Sequence, residues 1–151
     1  MLKGEIKKGT IRTTTGQQKK YITQFKDDDY QRCIIAINNM LHQRIYASYH
    51  LRKKSTVSYN MKDICSVLKS GEFDIIEYNY VQYPDHRDNR IVVKSWNSYL
   101  VEIDGKEQDC NMVFVLSVSN HQIVTLWYNS IDDDHDTLNM NRYDKNIEVV
   151  F

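Results

Sequence analysis

The chain holds one proline in 151 residues, which leaves no room for a proline-rich spacer and argues against disorder. Its three cysteines, Cys33, Cys65 and Cys110, are odd in number and far apart. No CxxC and no Cys/His zinc spacing is present, so no metal and no cofactor is expected. Cys33 and Cys65 fall in apolar helical patterns and read as small buried hydrophobes, which suits a reducing, cytoplasmic compartment. No apolar run is long enough to span a bilayer, so no membrane association is expected. No apolar stretch follows the early lysines, so no secretory signal is expected.

Net charge is also missing: 20 Lys and Arg balance 20 Asp and Glu. The balance hides an asymmetry. Residues 1–60 carry 12 basic against 4 acidic side chains, +8, while residues 61–151 carry 8 against 16, −8. A basic N-terminal half can face a polyanion; equally, the halves can neutralise each other across a fold.

The length fits one domain, with 41% hydrophobic and 26% charged residues, a globular composition. Residues 1–26, with weak periodicity and many Lys, Thr and Gly, read as a basic, partly ordered arm. Thr10–Thr15 and Tyr21–Phe25 are its candidate strands. Residues 27–151 read as a single α+β domain. Asp27, Asp28 and Asp29 suit the start of a helix, where carboxylates meet the exposed N–H groups. Ile34, Ile37, Leu41 and Ile45 make an apolar stripe that predicts a helix from about Tyr30 to Tyr49. Asn60 as N-cap, apolar Met61, Ile64, Cys65 and Leu68, and Gly71 as stop predict a second helix.

Strands follow: Phe73–Tyr80, Arg90–Lys94, Ser98–Ile103, Cys110–Ser117 and Gln122–Trp127, with a turn at Asp104-Gly105 and a loop at Tyr83–Asn89. Ile147–Phe151 is a candidate last strand, and Leu138–Tyr143 a single helical turn. The fold class is therefore α+β, two N-terminal helices packed on a four- to five-stranded antiparallel sheet.

Tyr49-His50-Leu51-Arg52-Lys53-Lys54 carries the chemistry. An imidazole beside three fixed cations suits work on a phosphodiester, one group moving a proton and the others holding negative charge. A solvated helix end is the plain alternative. In the strand that ends Ile123-Val124-Thr125-Leu126-Trp127-Tyr128-Asn129, alternation puts Thr125, Trp127 and Asn129 on one face and Val124, Leu126 and Tyr128 on the other. His42, His86 and His121 read as surface or turn residues. His135, among Asp132, Asp133, Asp134 and Asp136, reads as a solvated acidic loop, with a divalent-cation site as the alternative.

The order of His50, Arg52–Lys54, helix Met61–Leu68, Gly71, strand Phe73–Tyr78 and Ile123-Val124-Thr125-Leu126-Trp127-Tyr128 resembles the barnase–EndoU–colicin–RelE (BECR) ribonuclease-toxin fold over about residues 45–130. The resemblance implies metal-independent endonucleolytic cleavage of RNA, tRNA among the candidate substrates, by attack of the 2′-OH to leave a 2′,3′-cyclic phosphate. It implies His50 as general acid or base and Arg52 and Lys53 as holders of the phosphorane charge. Thr125 and Tyr128 would position the phosphate or assist proton transfer, and Lys54, Tyr49 and Asn129 would bind RNA. A cognate inhibitor is then an expected partner. One departure is that Arg52 follows His50 by only two positions, and an i, i+2 pair on a helix shares no face. The second reading is a non-enzymatic inhibitor or binding protein, such as a virus uses against a host defence, docking on a host protein through Asp132–Asp136 or on nucleic acid through the basic half.

Overall fold

The computed structural model describes residues 2–3, 17–54, 58–133 and 138–151. In chain order the elements are β1 (Leu2–Lys3), β2 (Gln17–Tyr21), α1 (Asp29–Leu41), β3 (Tyr46–Ala47), α2 (Tyr49–Lys53), α3 (Met61–Ser70), β4 (Phe73–Gln82), β5 (Arg87–Ile103), β6 (Lys106–Ser117) and β7 (Gln122–Ser130). The chain is α+β.

Strands β4 to β7 form an antiparallel meander inside a seven-stranded sheet of order β2-β4-β5-β6-β7-β3. β3 joins β7 in parallel, and β1 joins β5 in parallel at Val101 and Glu102, beyond the last β4 partner Ser95. The sheet is thus mixed and larger than the four or five antiparallel strands expected, because short N-terminal segments fill edges the meander leaves open. Arg90–Lys94 and Ser98–Ile103 are one strand, irregular between Lys94 and Ser98. Its turn to β6 puts Asp104 and Gly105 at φ 53° and 79°, the twist that two-residue hairpin turns favour.

Helices α1 and α3 cover one face of the sheet. Cys33, Ala36, Ile37 and Met40 of α1 and Ile64, Val67 and Leu68 of α3 are buried there against strand residues such as Tyr78, Ile91, Phe114 and Leu126. α3 has the boundaries its caps dictate. Asn60 Oδ1 accepts from the Lys62 N–H at 2.9 Å, and Gly71 closes the helix at φ 73°.

The expected long helix to Tyr49 is not one helix. α1 ends at Leu41, Tyr46–Ala47 pairs with Gln122–Ile123, and Ser48 starts α2. Tertiary pairing with β7 overrides the helical periodicity that Ile45 suggests. The strand expected at Tyr21–Phe25 lies instead at Gln17–Tyr21, with a 3-10 turn at Ile22–Gln24; Thr10–Thr15 falls outside the described residues. The turn expected within Leu138–Tyr143 is a 3-10 turn at Met140–Arg142. Ile147–Phe151 is not a strand. Ile147 and Val149 enter the core, and the segment is held by side chains, the Arg32 guanidinium donating to the Val149 carbonyl and the Tyr78 hydroxyl to that of Val150. Among the described residues no helix is long and apolar enough to cross a membrane.

One lysine of the basic N-terminal segment is structural. Lys20 is 1% exposed, and its Nζ donates to Asp29 Oδ2 at 2.6 Å and to the Ile147 carbonyl at 3.0 Å. Asp29 also accepts from the Lys26 N–H at 2.8 Å. Burial works to raise the Asp29 pKa, but the Lys20 and Lys26 hydrogen bonds and the Lys20 charge together outweigh it, and the carboxyl titrates below its ordinary 3.8. Lys20→Ala strands a buried carboxylate and is expected to cost about 3 kcal/mol at pH 7 in denaturant melts. A depressed folded pKa contributes stability that is present above the unfolded value and lost as pH falls through the folded one. The gap between wild type and Lys20→Ala is therefore expected to narrow below about pH 4; a gap constant down to pH 2 contradicts the assignment.

Candidate functional site

A cleft of about 380 Å³ opens at one end of the sheet, where α2, the β4–β5 hairpin and the β6–β7 turn meet. Its position follows from Ser48. The Ser48 hydroxyl accepts from the Leu51 N–H at 3.0 Å, capping α2, and donates to the Val124 carbonyl at 2.7 Å, fixing the helix start on β7. Val124 is the extra residue of a β-bulge: Ile123 pairs with Leu116 and Thr125 with Val115. The bulge turns Val124 away from the main core and into the cleft wall. Strict alternation through β7 is thereby broken, so Val124 does not share a face with Leu126 and Tyr128 as the sequence pattern suggests.

Tyr49 and His50, both exposed, form the α2 wall. Tyr83 and His86 form the wall opposite in sequence order, on the β4–β5 hairpin. Their rings stack with centroids 4.8 Å apart and planes 17° apart. His86 Nδ1 sits 2.7 Å from Asp85 Oδ1, and this hydrogen bond, helped by the imidazole charge, holds the Asp85 carboxyl below the usual carboxylate range.

The floor is polar and built from one sheet face. Asp88, 2% exposed, accepts from Ser117 Oγ at 2.7 Å and from Arg90 Nε and Nη2, both at 2.9 Å. Ser117 Oγ in turn accepts from the Asn120 N–H at 3.3 Å. A buried carboxylate with three such donors is satisfied. It also fixes the Arg90 guanidinium, which has five N–H donors and spends two on Asp88.

The expected site residues separate. His50 and Tyr49 line the cleft. Arg52 and Lys53 are exposed on α2 and are not part of the lining; Lys53 Nζ lies 5.4 Å from the Tyr49 ring centre. Lys54 is the half-buried C-cap of α2. Thr125 is 3% exposed, and its Oγ1 is buried with no hydrogen-bond partner among the described residues. Tyr128 belongs to the main core on the helix-covered face, 1% exposed, its hydroxyl donating to the Ser58 carbonyl at 2.6 Å. Burial, with Asp63 adding to it, pushes its pKa up, the opposite of what a proton carrier at neutral pH needs. Asn129 pairs with Asn111, on the order of 20 Å along β7 from the cleft residue Gln122, too far to share a substrate phosphate with His50.

Sequence reasoning passed over His86, Arg90, Asp88 and Ser117. The signal for the floor was present, because Asp88 and Arg90 are charged at alternate positions of a strand that turns apolar at once. His86 carried no local signal and depends on where the hairpin ends. Among the described residues no group of three His, Cys, Asp or Glu is placed to hold a metal ion. Asp132 and Asp133 are exposed turn residues, and Asp134, His135 and Asp136 lie outside the described residues.

Comparisons with protein-family models, curated proteins and solved structures return no match.

Tyr128→Phe removes one buried hydroxyl and leaves the cleft untouched. It is expected to lower stability by about 1 kcal/mol in denaturant melts without changing any activity of the protein. An activity loss at unchanged stability would return Tyr128 to the site.

Proposed function

We propose that the protein is a metal-independent endoribonuclease that cleaves RNA through its own 2′-OH. A base takes the 2′-OH proton, the oxygen attacks the adjacent phosphorus, and the P–O5′ bond breaks as an acid gives a proton to the leaving 5′-oxygen. The products are a 2′,3′-cyclic phosphate and a 5′-OH end.

One observation carries this reading: the cleft brings two exposed imidazoles, His50 and His86, from separate elements to the same polar floor as Arg90. Two imidazoles can serve as base and acid in turn, the group types this reaction asks for. Arg90 can meet the charge of the phosphorane with donors already oriented by Asp88. This differs from the roles the resemblance implies for Arg52, Lys53, Thr125 and Tyr128. His50 keeps its role, and Tyr49 keeps its contact with RNA. The chain shares only the α+β class with the fold that the resemblance implies; its sheet is seven-stranded and mixed.

The test is incubation of wild type, His50→Ala and His86→Ala with total RNA and labelled tRNA in EDTA. Wild type is expected to give defined fragments ending in cyclic phosphate. Each variant is expected to fall by about 10²–10⁴-fold with its circular dichroism unchanged. The wild-type rate is expected to be bell-shaped in pH, since one imidazole must be neutral while the other is protonated. Folded wild type that cuts no RNA ends this proposal and favours a protein that only binds.

A further inference from the structure

We propose that single-stranded RNA crosses the cleft along a track of exposed tyrosines, with Tyr83 on one bank and Tyr49 and Tyr46 on the other; this rests on the ribonuclease reading above.

The track follows from sheet register. Arg90 pairs with Ser117, Ser117 with Gln122, and Gln122 with Tyr46. Cross-strand partners share a face, so these four side chains form one row on the cleft side of the sheet. Arg90, Ser117 and Gln122 line the cleft, and Tyr46 continues the row onto the edge strand β3. At about 4.8 Å per strand the row runs roughly 14 Å from Arg90 to Tyr46. That is longer than the cleft floor needs for a single phosphate.

The aromatic residues along this path are exposed, with His86 stacked on one face of Tyr83. Tyr46 is 49% exposed, Tyr49 68% and Tyr83 40%. A tyrosine that served only packing would cover more of its ring. Two of the three hold a cation as well: the Arg44 guanidinium lies 5.1 Å from the Tyr46 ring centre, and Lys53 Nζ 5.4 Å from that of Tyr49. Alternating ring faces and cations is how single strands are bound without base-pair readout, bases stacking on the rings while the cations meet the phosphates. A duplex offers no free base face to such a surface, so the recognised form is unpaired RNA.

The test uses a fluorescein-labelled decamer of fully 2′-O-methylated RNA, single-stranded or annealed to its complement. With no 2′-OH to attack, binding is read apart from cleavage. By anisotropy, wild type is expected to bind the single strand at least about 10-fold more tightly than the duplex. Tyr46→Ala and Tyr83→Ala are each expected to weaken single-strand binding by about 5-fold or more, the loss of one stacked base. Tyr46→Phe, which keeps the ring, is expected to bind as wild type does. Equal binding of duplex and single strand, no binding of the decamer, or unchanged binding by folded Tyr46→Ala overturns the track. If tyrosine-dependent binding holds while unmodified RNA stays intact, the track stands and the nuclease reading falls. If RNA is cut while both alanine variants bind as wild type does, the nuclease reading stands and the track falls.

Discussion

The site depends on one hydroxyl. Ser48 sits between the two-residue strand β3 and the five-residue helix α2, neither of which is long enough to hold its place alone. By accepting from Leu51 and donating to Val124, its Oγ joins a helix start to a strand bulge. Leu51, fully buried, then anchors the helix from below. Everything that α2 presents to solvent, Tyr49 and His50 on the cleft and Arg52 and Lys53 beyond it, takes its position from that junction. Replacing the hydroxyl would free one end of α2 while leaving the apolar core of α1, α3 and the sheet intact.

The floor uses a different physics. Asp88 and Ser117 are almost fully excluded from water, which is costly for a carboxylate unless its lone pairs are met. Here the donors come from the neighbouring strand β6 and from Arg90 on its own strand. Arg90 is thus stiff before any ligand arrives, and a stiff donor loses less entropy on meeting an anion than a free surface lysine does. Binding an anion there adds to a network that is already closed on its inner side.

How much of this the chain discloses depends on the range of the interaction that decides each feature. α3 was legible from Asn60 to Gly71 because caps act within a turn of the residue that carries them. The meander was legible because alternation and Asp104-Gly105 are local. The long helix was misread because Tyr46–Ala47 answers to Gln122–Ile123, about 76 residues away. The facing of Val124 was misread for a related reason. The bulge that re-aims Val124 exists only in the pairing of β7 with β6, and single-strand alternation carries no trace of it. His50 and Tyr49 were chosen for the basic run that follows them, yet they reach the cleft through Ser48. The cations that prompted the choice stand outside it.

That displacement gives the cations a different use. Around the cleft, Asp88 is matched by Arg90 and Asp85 is hydrogen-bonded to His86, so the carboxylates at the centre already have partners. A polyanion gains little by approaching such a balanced floor from a distance. Arg52 and Lys53 are exposed on the helix that forms one wall, and Arg44 stands near the next strand out. Exposed charges of one sign beside a cleft attract a phosphate chain over about a Debye length, 8–10 Å at physiological salt, and then cost little to desolvate because they remain in water. The basic N-terminal half thus divides its charges. Lys20 is held inside the fold by Asp29, and Arg52 and Lys53 of α2 stay exposed beside the cleft.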